Sequence, residues 1–387
     1  MFSSRVPGEL APNRLTLAIA RARAAERTIL DLTIANPTVA GFEYPGSLLK
    51  TLADTAASRY EPRPFGLPPA RAAVARDYGR RGVAVNADRI VLTASTSEAY
   101  SHLFKLLCEA ARDAVMIPVP SYPLFEHLTR LDGVGCIPYR LDYHGRWTVE
   151  LDGIDSAWTD RVRAVLAVSP NNPTGSVLSA LEADELARRC AARGAALILD
   201  EVFADFPLDA GRAADALQPW PCLTFRLGGL SKSAGLPQVK LGWMAVEGPD
   251  ALVCEALARL ELICDTYLSV STPVQVAAPA LIAGGAAVRQ AILARVRANY
   301  AALSRLAGAY PAVDLLHADA GWSAVIRVPS TRSEEDLVLE LLERDGVLVH
   351  PGFFFDFPHE SFIVVSLLAA PAAFEEGVRR LLERAVA

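Results

Sequence analysis

Apolar runs that stop at an acidic or turn-forming residue recur through the middle of the chain, with helix-period segments between them. Ala195-Ala196-Leu197-Ile198-Leu199 ends at Asp200, and the run from Val162 to Val168 ends at Ser169-Pro170-Asn171-Asn172-Pro173-Thr174-Gly175, a turn by composition. Continuous rather than alternating hydrophobicity marks strands that are buried on both faces. Between Arg89 and Val246 the candidate strands are Arg89–Leu92, Ala114–Pro118, Gly135–Leu141, Val162–Val168, Ala195–Asp200, Cys222–Leu227 and Lys240–Val246. Strands that alternate with helices predict an α/β fold: a mostly parallel seven-stranded sheet covered by helices. Ahead of it, Asn13 is expected to cap a helix that reaches about Ala25, followed by a short strand at Ile29–Leu32. The helical pattern from Ala286 to Ala307 reads either as the join to a smaller α+β domain or as an ordinary amphipathic core helix. The expected organisation is an N-terminal segment over 1–40, a large domain over 41–284 and a small C-terminal domain over 285–387.

Composition narrows the partners. A net charge of −6 with scattered Lys and Arg leaves no broad basic surface for nucleic acid. The six cysteines lie far apart, without Cys-x-x-Cys spacing, and read as reduced thiols of a cytoplasmic protein. The six histidines are equally dispersed, so no metal site is expected. The first ten residues lack the charged and apolar segments of a secretory signal, and no apolar run is long enough to span a bilayer.

The densest chemical signal is Gly228-Gly229-Leu230-Ser231-Lys232-Ser233-Ala234-Gly235. A loop lysine is ordinarily a solvated charge. One crowded by small residues between apolar segments is a candidate buried amine, which loses its proton readily and forms imines with carbonyl compounds. Asp200 ends a buried strand, where α/β proteins place ligands, and a carboxylate there would keep a pyridinium nitrogen protonated. Thr93-Ala94-Ser95-Thr96-Ser97-Glu98 joins a strand to a helix, and small hydroxylated residues opening a helix offer N–H groups to a phosphate.

In this combination and order the motifs resemble those of the fold-type I pyridoxal-phosphate-dependent aminotransferases, the class I/II aminotransferase superfamily. The resemblance runs from Asp31-Leu32-Thr33-Ile34-Ala35-Asn36-Pro37 to the last helix. It implies pyridoxal 5'-phosphate as cofactor, with Lys232 as the Schiff-base residue that also moves the substrate proton. Asp200 would meet the ring nitrogen, Asn172 the phenolic oxygen, and Ser95, Thr96, Ser97 and Lys240 the phosphate. Tyr122 would stack on the ring, unless it is simply a core tyrosine. Tyr60, in the Pro-rich loop Tyr60-Glu61-Pro62-Arg63-Pro64, aligns with a tyrosine that reaches the neighbouring subunit's phosphate, which implies a homodimer with shared active sites. The segment Ser269–Pro273 is a weaker candidate to cross over. Ala35, Asn36, Trp322 and Phe353–Phe355 fall on segments that border the substrate, and for the aromatic residues a small-domain core is the competing reading. The reaction expected is transfer of an amino group between an amine or amino acid and a keto acid. A lyase, decarboxylase or synthase on the same scaffold is the alternative, and a non-catalytic cofactor-binding regulator the third reading.

Several positions depart from the family pattern. The phosphate-binding arginine is Lys240, a serine three positions before the lysine is Gly229, and a tyrosine three positions after Asp200 is Phe203. The arginine that clamps the substrate α-carboxylate falls on Val364 in Phe362-Ile363-Val364-Val365-Ser366. Either another cation, Arg327 or Arg63, replaces it, or the substrate lacks a free carboxylate there, or the chemistry has changed.

Overall fold

The computed structural model describes residues 2–8, 11–208 and 220–387. Its central sheet has eight strands. In spatial order they are Ile90–Thr93, Gly242–Glu247, Thr224–Gly229, Ala196–Asp200, Val162–Val168, Ala114–Val119, Gly135–Tyr143 and Trp147–Val149. The five strands from Thr224–Gly229 to Gly135–Tyr143 run parallel to their neighbours, whereas Gly242–Glu247 is antiparallel to both of its partners. Seven of these strands lie where hydrophobic runs predict them. The eighth, Trp147–Val149, corrects the expected count. It folds back on Gly135–Tyr143 as an antiparallel edge, and its exposed Thr148 between buried Trp147 and Val149 is too short an alternation to stand out.

Alternate residues of one strand feed opposite cores, which explains why the runs are apolar throughout. Val165, Ala167, Leu197 and Leu199 pack into one cluster, and Ala164, Leu166, Ala196 and Ile198 into the other. The strand bounds shift by one or two residues from those expected. Gly242, not Lys240, opens its strand, because Pro237–Val239 forms a 3-10 turn and Lys240 adopts the left-handed conformation (φ 59°).

A third cluster unites the ends of the chain. The helix Arg14–Ala24 is capped by Asn13, whose Oδ1 accepts the Thr16 N–H at 2.8 Å. Its Leu15, Ala18 and Ala22 join Val288, Ile292 and Val296 of helix Ala286–Ala307 and Leu381 of the last helix, Pro371–Ala385. Leu30–Asp31 pairs in parallel with Val347–Leu348. Beside it a four-stranded antiparallel sheet orders Asp314–Leu315, Ser323–Arg327, Phe362–Ser366 and His350–Pro351. Asn299 on the long helix is buried and donates to the carbonyls of Leu367 and Ala369, each at 2.8 Å. Among the described residues no single helix is long and apolar enough to cross a membrane, and all six cysteines are free, with Cys190, Cys222 and Cys264 buried and Cys254 exposed.

Candidate active site

Where the carboxyl ends of the sheet strands meet the antiparallel sheet, a cavity of ≈ 390 Å³ opens. Its wall includes Lys232, Asp200, Asn172, Tyr122, Ser95, Thr96, Ser97, Lys240, Ala35 and Trp322, so the fold gathers most of the candidate residues.

Lys232 sits in a single helical turn, Leu230–Ser233, that begins where the strand Thr224–Gly229 ends. Leu230 N–H bonds the Leu241 carbonyl at 2.9 Å, Ser233 Oγ donates to the Gly229 carbonyl at 3.0 Å, and Tyr44 donates its hydroxyl to the Gly235 carbonyl at 2.6 Å. The lysine is thereby held on a rigid turn, with its Nζ 5.1 Å from the Trp322 ring centroid and 5.7 Å from that of Phe203. Burial pushes this amine below the usual lysine range, and the Asp200 charge partly offsets the shift.

Asp200 is buried at the strand end. Its Oδ2 accepts the Tyr100 hydroxyl at 2.6 Å and its Oδ1 the Val202 N–H at 3.0 Å. Burial raises its pKa from 3.8 to about 6 against the lowering effect of these two donors. Ser95 caps the helix Thr96–Leu107 by accepting the Glu98 N–H at 3.2 Å, and the Glu98 carboxylate accepts the Ala94 N–H at 2.7 Å. The Thr96 and Ser97 N–H groups then point out of the helix end into the cavity wall, where the helix dipole favours an anion. Gly242 permits this. A Cβ there would lie 2.9 Å from the Ser95 carbonyl carbon and 3.1 Å from Thr96 N. Lys240 adds a cation from a left-handed backbone that costs a non-glycine residue roughly 1–2 kcal/mol.

Asn172 reaches the cavity from the turn after Val162–Val168 and accepts the Ser323 hydroxyl at 3.2 Å. Its neighbour Asn171 faces inward, bonded to Ser121, the Pro120 carbonyl and Thr174, and holds that turn against the one carrying Tyr122. Phe203 and Trp322 meet edge to face at 5.3 Å and form an apolar wall. Of the three consecutive phenylalanines only Phe355 lines the cavity.

Four expected residues are not part of this wall. Asn36 closes a turn instead, its Oδ1 accepting the Thr38 N–H at 3.0 Å. Arg327 lies at the far end of Ser323–Arg327, roughly 13 Å from Ser323 at strand rise, and pairs with Asp314 on the surface. Arg63 pairs with Glu61 at 2.6 Å, and Tyr60 is 72% exposed; both border a separate surface hollow with Ser269, Val270 and Thr272. Neither arginine candidate thus replaces the clamp within its own chain. Val364 does line the cavity, as expected for the clamp position. Residues that sequence reasoning passed over also line it: Thr33, Tyr100, Ser323, His350 and Ser366.

A buried amine and a buried carboxylate at the strand ends, with an anion-binding helix start beside them, suit the aldehyde, ring nitrogen and phosphate of pyridoxal phosphate. Fold and site together define a fold-type I pyridoxal-phosphate-dependent enzyme. The chain belongs to the aminotransferase class I and II family, whose model matches residues 31–384. It is 25% identical over 370 residues to the glutamate-pyruvate aminotransferase AlaA of Haemophilus influenzae, covering 91% of this chain and 89% of that one. It is 27% identical over 352 residues to the alanine aminotransferase of Mycobacterium tuberculosis H37Rv, covering 88% and 81%. Among solved structures, the alanine aminotransferase of Pyrococcus furiosus superposes with a TM-score of 0.88 at 21% identity over 99% of both chains. The tyrosine aminotransferase of Leishmania infantum gives 0.83 at 20% identity over 98% and 99%. The enzyme is an aminotransferase that uses pyridoxal phosphate, and the lyase, decarboxylase or synthase alternative is not favoured.

Proposed function

We propose that Lys232 carries the amino-group transfer, with Asp200, Asn172, Tyr122, Ser95, Thr96, Ser97 and Lys240 holding the cofactor. The observation that carries this reading is the convergence of the Lys232 amine and the Asp200 carboxylate in one cavity, the amine's pKa lowered by burial. Pyridoxal phosphate, when bound, supplies an aldehyde that takes the amino group and a ring that takes up the electron pair left at the donor carbon. Lys232 Nζ, whose proton burial makes easier to lose, would be the base that removes the proton from the donor's Cα. Asp200 would hold the ring nitrogen, and the Tyr100 hydroxyl supports its carboxylate. The hydroxyl and N–H groups at the start of helix Thr96–Leu107 would hold the phosphate together with Lys240. The Phe203–Trp322 wall excludes water beside the amine.

The assembly proposed is a cytoplasmic homodimer in which Tyr60 of one copy completes the other copy's phosphate site. Its exposure at 72%, on a loop outside its own cavity, supports this reading. The organisation proposed is an N-terminal segment over 1–40, a large cofactor domain over 41–284 and a small domain over 285–387. Substrates are of the amino acid and keto acid kind.

Single-turnover spectroscopy tests the assignment. Purified holoenzyme mixed with a panel of amino donors, and no acceptor, should convert its cofactor stoichiometrically from the aldehyde to the amine form. Lys232→Ala should still bind the cofactor but lose that conversion by several orders of magnitude. An undiminished conversion rate in Lys232→Ala would remove Lys232 from the reaction.

A further inference from the structure

The cavity holds two lysines and no arginine among its lining residues, and both lysines already have work to do at the amine and phosphate ends. Among the described residues no further cation lines the cavity beside Val364, the expected clamp position. What stands there instead is a histidine. In the antiparallel sheet His350 pairs directly with Val364, which pairs on its other side with Val325. Residues opposite each other in such a sheet project from the same face, and His350 and Val364 both line the cavity. Phe354 and Phe355 flank the imidazole, with ring centroids 5.9 Å away in each case.

The His350 Nδ1 is buried without a hydrogen-bond partner among the described residues. A second polar atom of the same cavity, Trp322 Nε1, is likewise buried and unpartnered. Buried polar atoms without partners are uncommon and costly, and on residues that line a cavity a bound ligand is one partner that satisfies them. Burial also holds the His350 imidazole below its usual pKa, against the weaker raising effect of Asp31, which is itself engaged by Thr33. A neutral imidazole and an indole N–H recognise a neutral polar group far better than they offset a desolvated carboxylate.

We infer that His350 is a specificity-determining residue that hydrogen-bonds a neutral oxygen- or nitrogen-bearing group on the donor carbon, such as a carboxamide, in place of the carboxylate clamp absent at Val364. This inference rests on the reading of the Lys232 cavity as the amino-transfer site. It places the enzyme's preferred amino donor among carboxyl-masked amino acids.

The test uses holoenzyme and two ligands that lack a proton on the donor carbon and so bind without turnover: 2-methylalaninamide and its parent acid, 2-methylalanine. Affinities come from the cofactor's absorbance. The His350 ring resonances, assigned by their loss in His350→Asn, report the contact independently. The amide should shift those resonances and bind at least tenfold more tightly than the acid. His350→Leu should reduce the amide-to-acid ratio about tenfold, the usual weight of one such hydrogen bond, and His350→Asn should retain part of it. Unshifted His350 resonances overturn the inference. So does an unchanged ratio in His350→Leu, or an acid that binds as tightly as the amide, which would place an anchoring cation on a second copy. If His350→Leu fails to fold, the resonances of the unmodified protein decide. Turnover is scored separately with alaninamide. Contact at His350 without conversion of the cofactor by alaninamide would defeat the transfer reading of Lys232 and leave the His350 contact standing.

Discussion

The hydroxyl of Tyr100 donates to Asp200 Oδ2 at 2.6 Å, and both groups are buried. Tyr100 lies on the helix whose first turn faces the proposed phosphate position, and Asp200 ends the strand at the proposed ring-nitrogen position. One helix therefore sets the distance between the two ends of the cofactor site.

Removing that hydroxyl should weaken cofactor binding. The Tyr100 bond lowers the Asp200 pKa, so Tyr100→Phe should raise it above 6 and reduce the carboxylate fraction at neutral pH. Hydrogen bonds to charged groups are worth roughly 1.5–3 kcal/mol. An increase of about ten- to a hundredfold in the cofactor Kd is expected, read by absorbance titration of the stripped protein. An unchanged Kd would separate Asp200 from cofactor affinity.

Asp200 should also leave a mark on stability once the cofactor is removed. Its folded pKa, about 6, lies above its ordinary 3.8, so the folded chain keeps a proton that the unfolded chain releases. Its contribution to stability is fully present below pH 3.8 and is lost as pH rises through 6. The change amounts to roughly 3 kcal/mol. Urea unfolding of stripped protein and of Asp200→Asn, compared at pH 4 and pH 7, should show the native protein losing about that much relative to the variant. Parallel pH profiles would contradict the burial of this charge.

Gly242→Ala should injure the phosphate end selectively. The added Cβ would press on the backbone of Ser95 and Thr96 at 2.9–3.1 Å, which a flexible side chain cannot relieve. Overpacking of this kind costs about 1–3 kcal/mol. The cofactor Kd should rise at least tenfold, and the thermal midpoint should fall.

Arg327→Ala is expected to be silent in turnover. The residue is exposed and pairs with exposed Asp314, an interaction worth about 0–1 kcal/mol. A large rise in KM for amino acids would show that Arg327 reaches the substrate in the assembled enzyme.

How much of this was legible in the sequence depended on distance along the chain. Asp200, Lys232 and the Ser95–Ser97 turn declare themselves locally, because each stands at the end of a hydrophobic run where the backbone must turn. Tyr100 gives no such sign. A tyrosine on an amphipathic helix looks like core, and its partner is a hundred residues away. His350 was hidden for the same reason, since its relation to Val364 exists only through strand register. Asn36 misled because it directly follows a stretch bordering the cavity, yet its side chain is spent on its own turn. Arg327 misled through its place at the end of a strand. Its strand buries Ala324, Val325 and Ile326 and releases position 327 to solvent at its end.

The pairing of Leu30–Asp31 with Val347–Leu348 places one consequence outside the finished enzyme. Leu32 and Ile34 accept hydrogen bonds from Ser366, so the cavity wall at Thr33 and Ala35 is hung from a strand more than 300 residues further along the chain. On the ribosome, the large sheet has all its strands once Glu247 has emerged. The N-terminal segment must wait beside it, unpaired, while about a hundred more residues are added at roughly 5–20 per second. Lys232 and Asp200 are thus within reach of the cofactor several seconds before the substrate side of the cavity exists. A nascent chain could take up its cofactor before it is able to select a substrate.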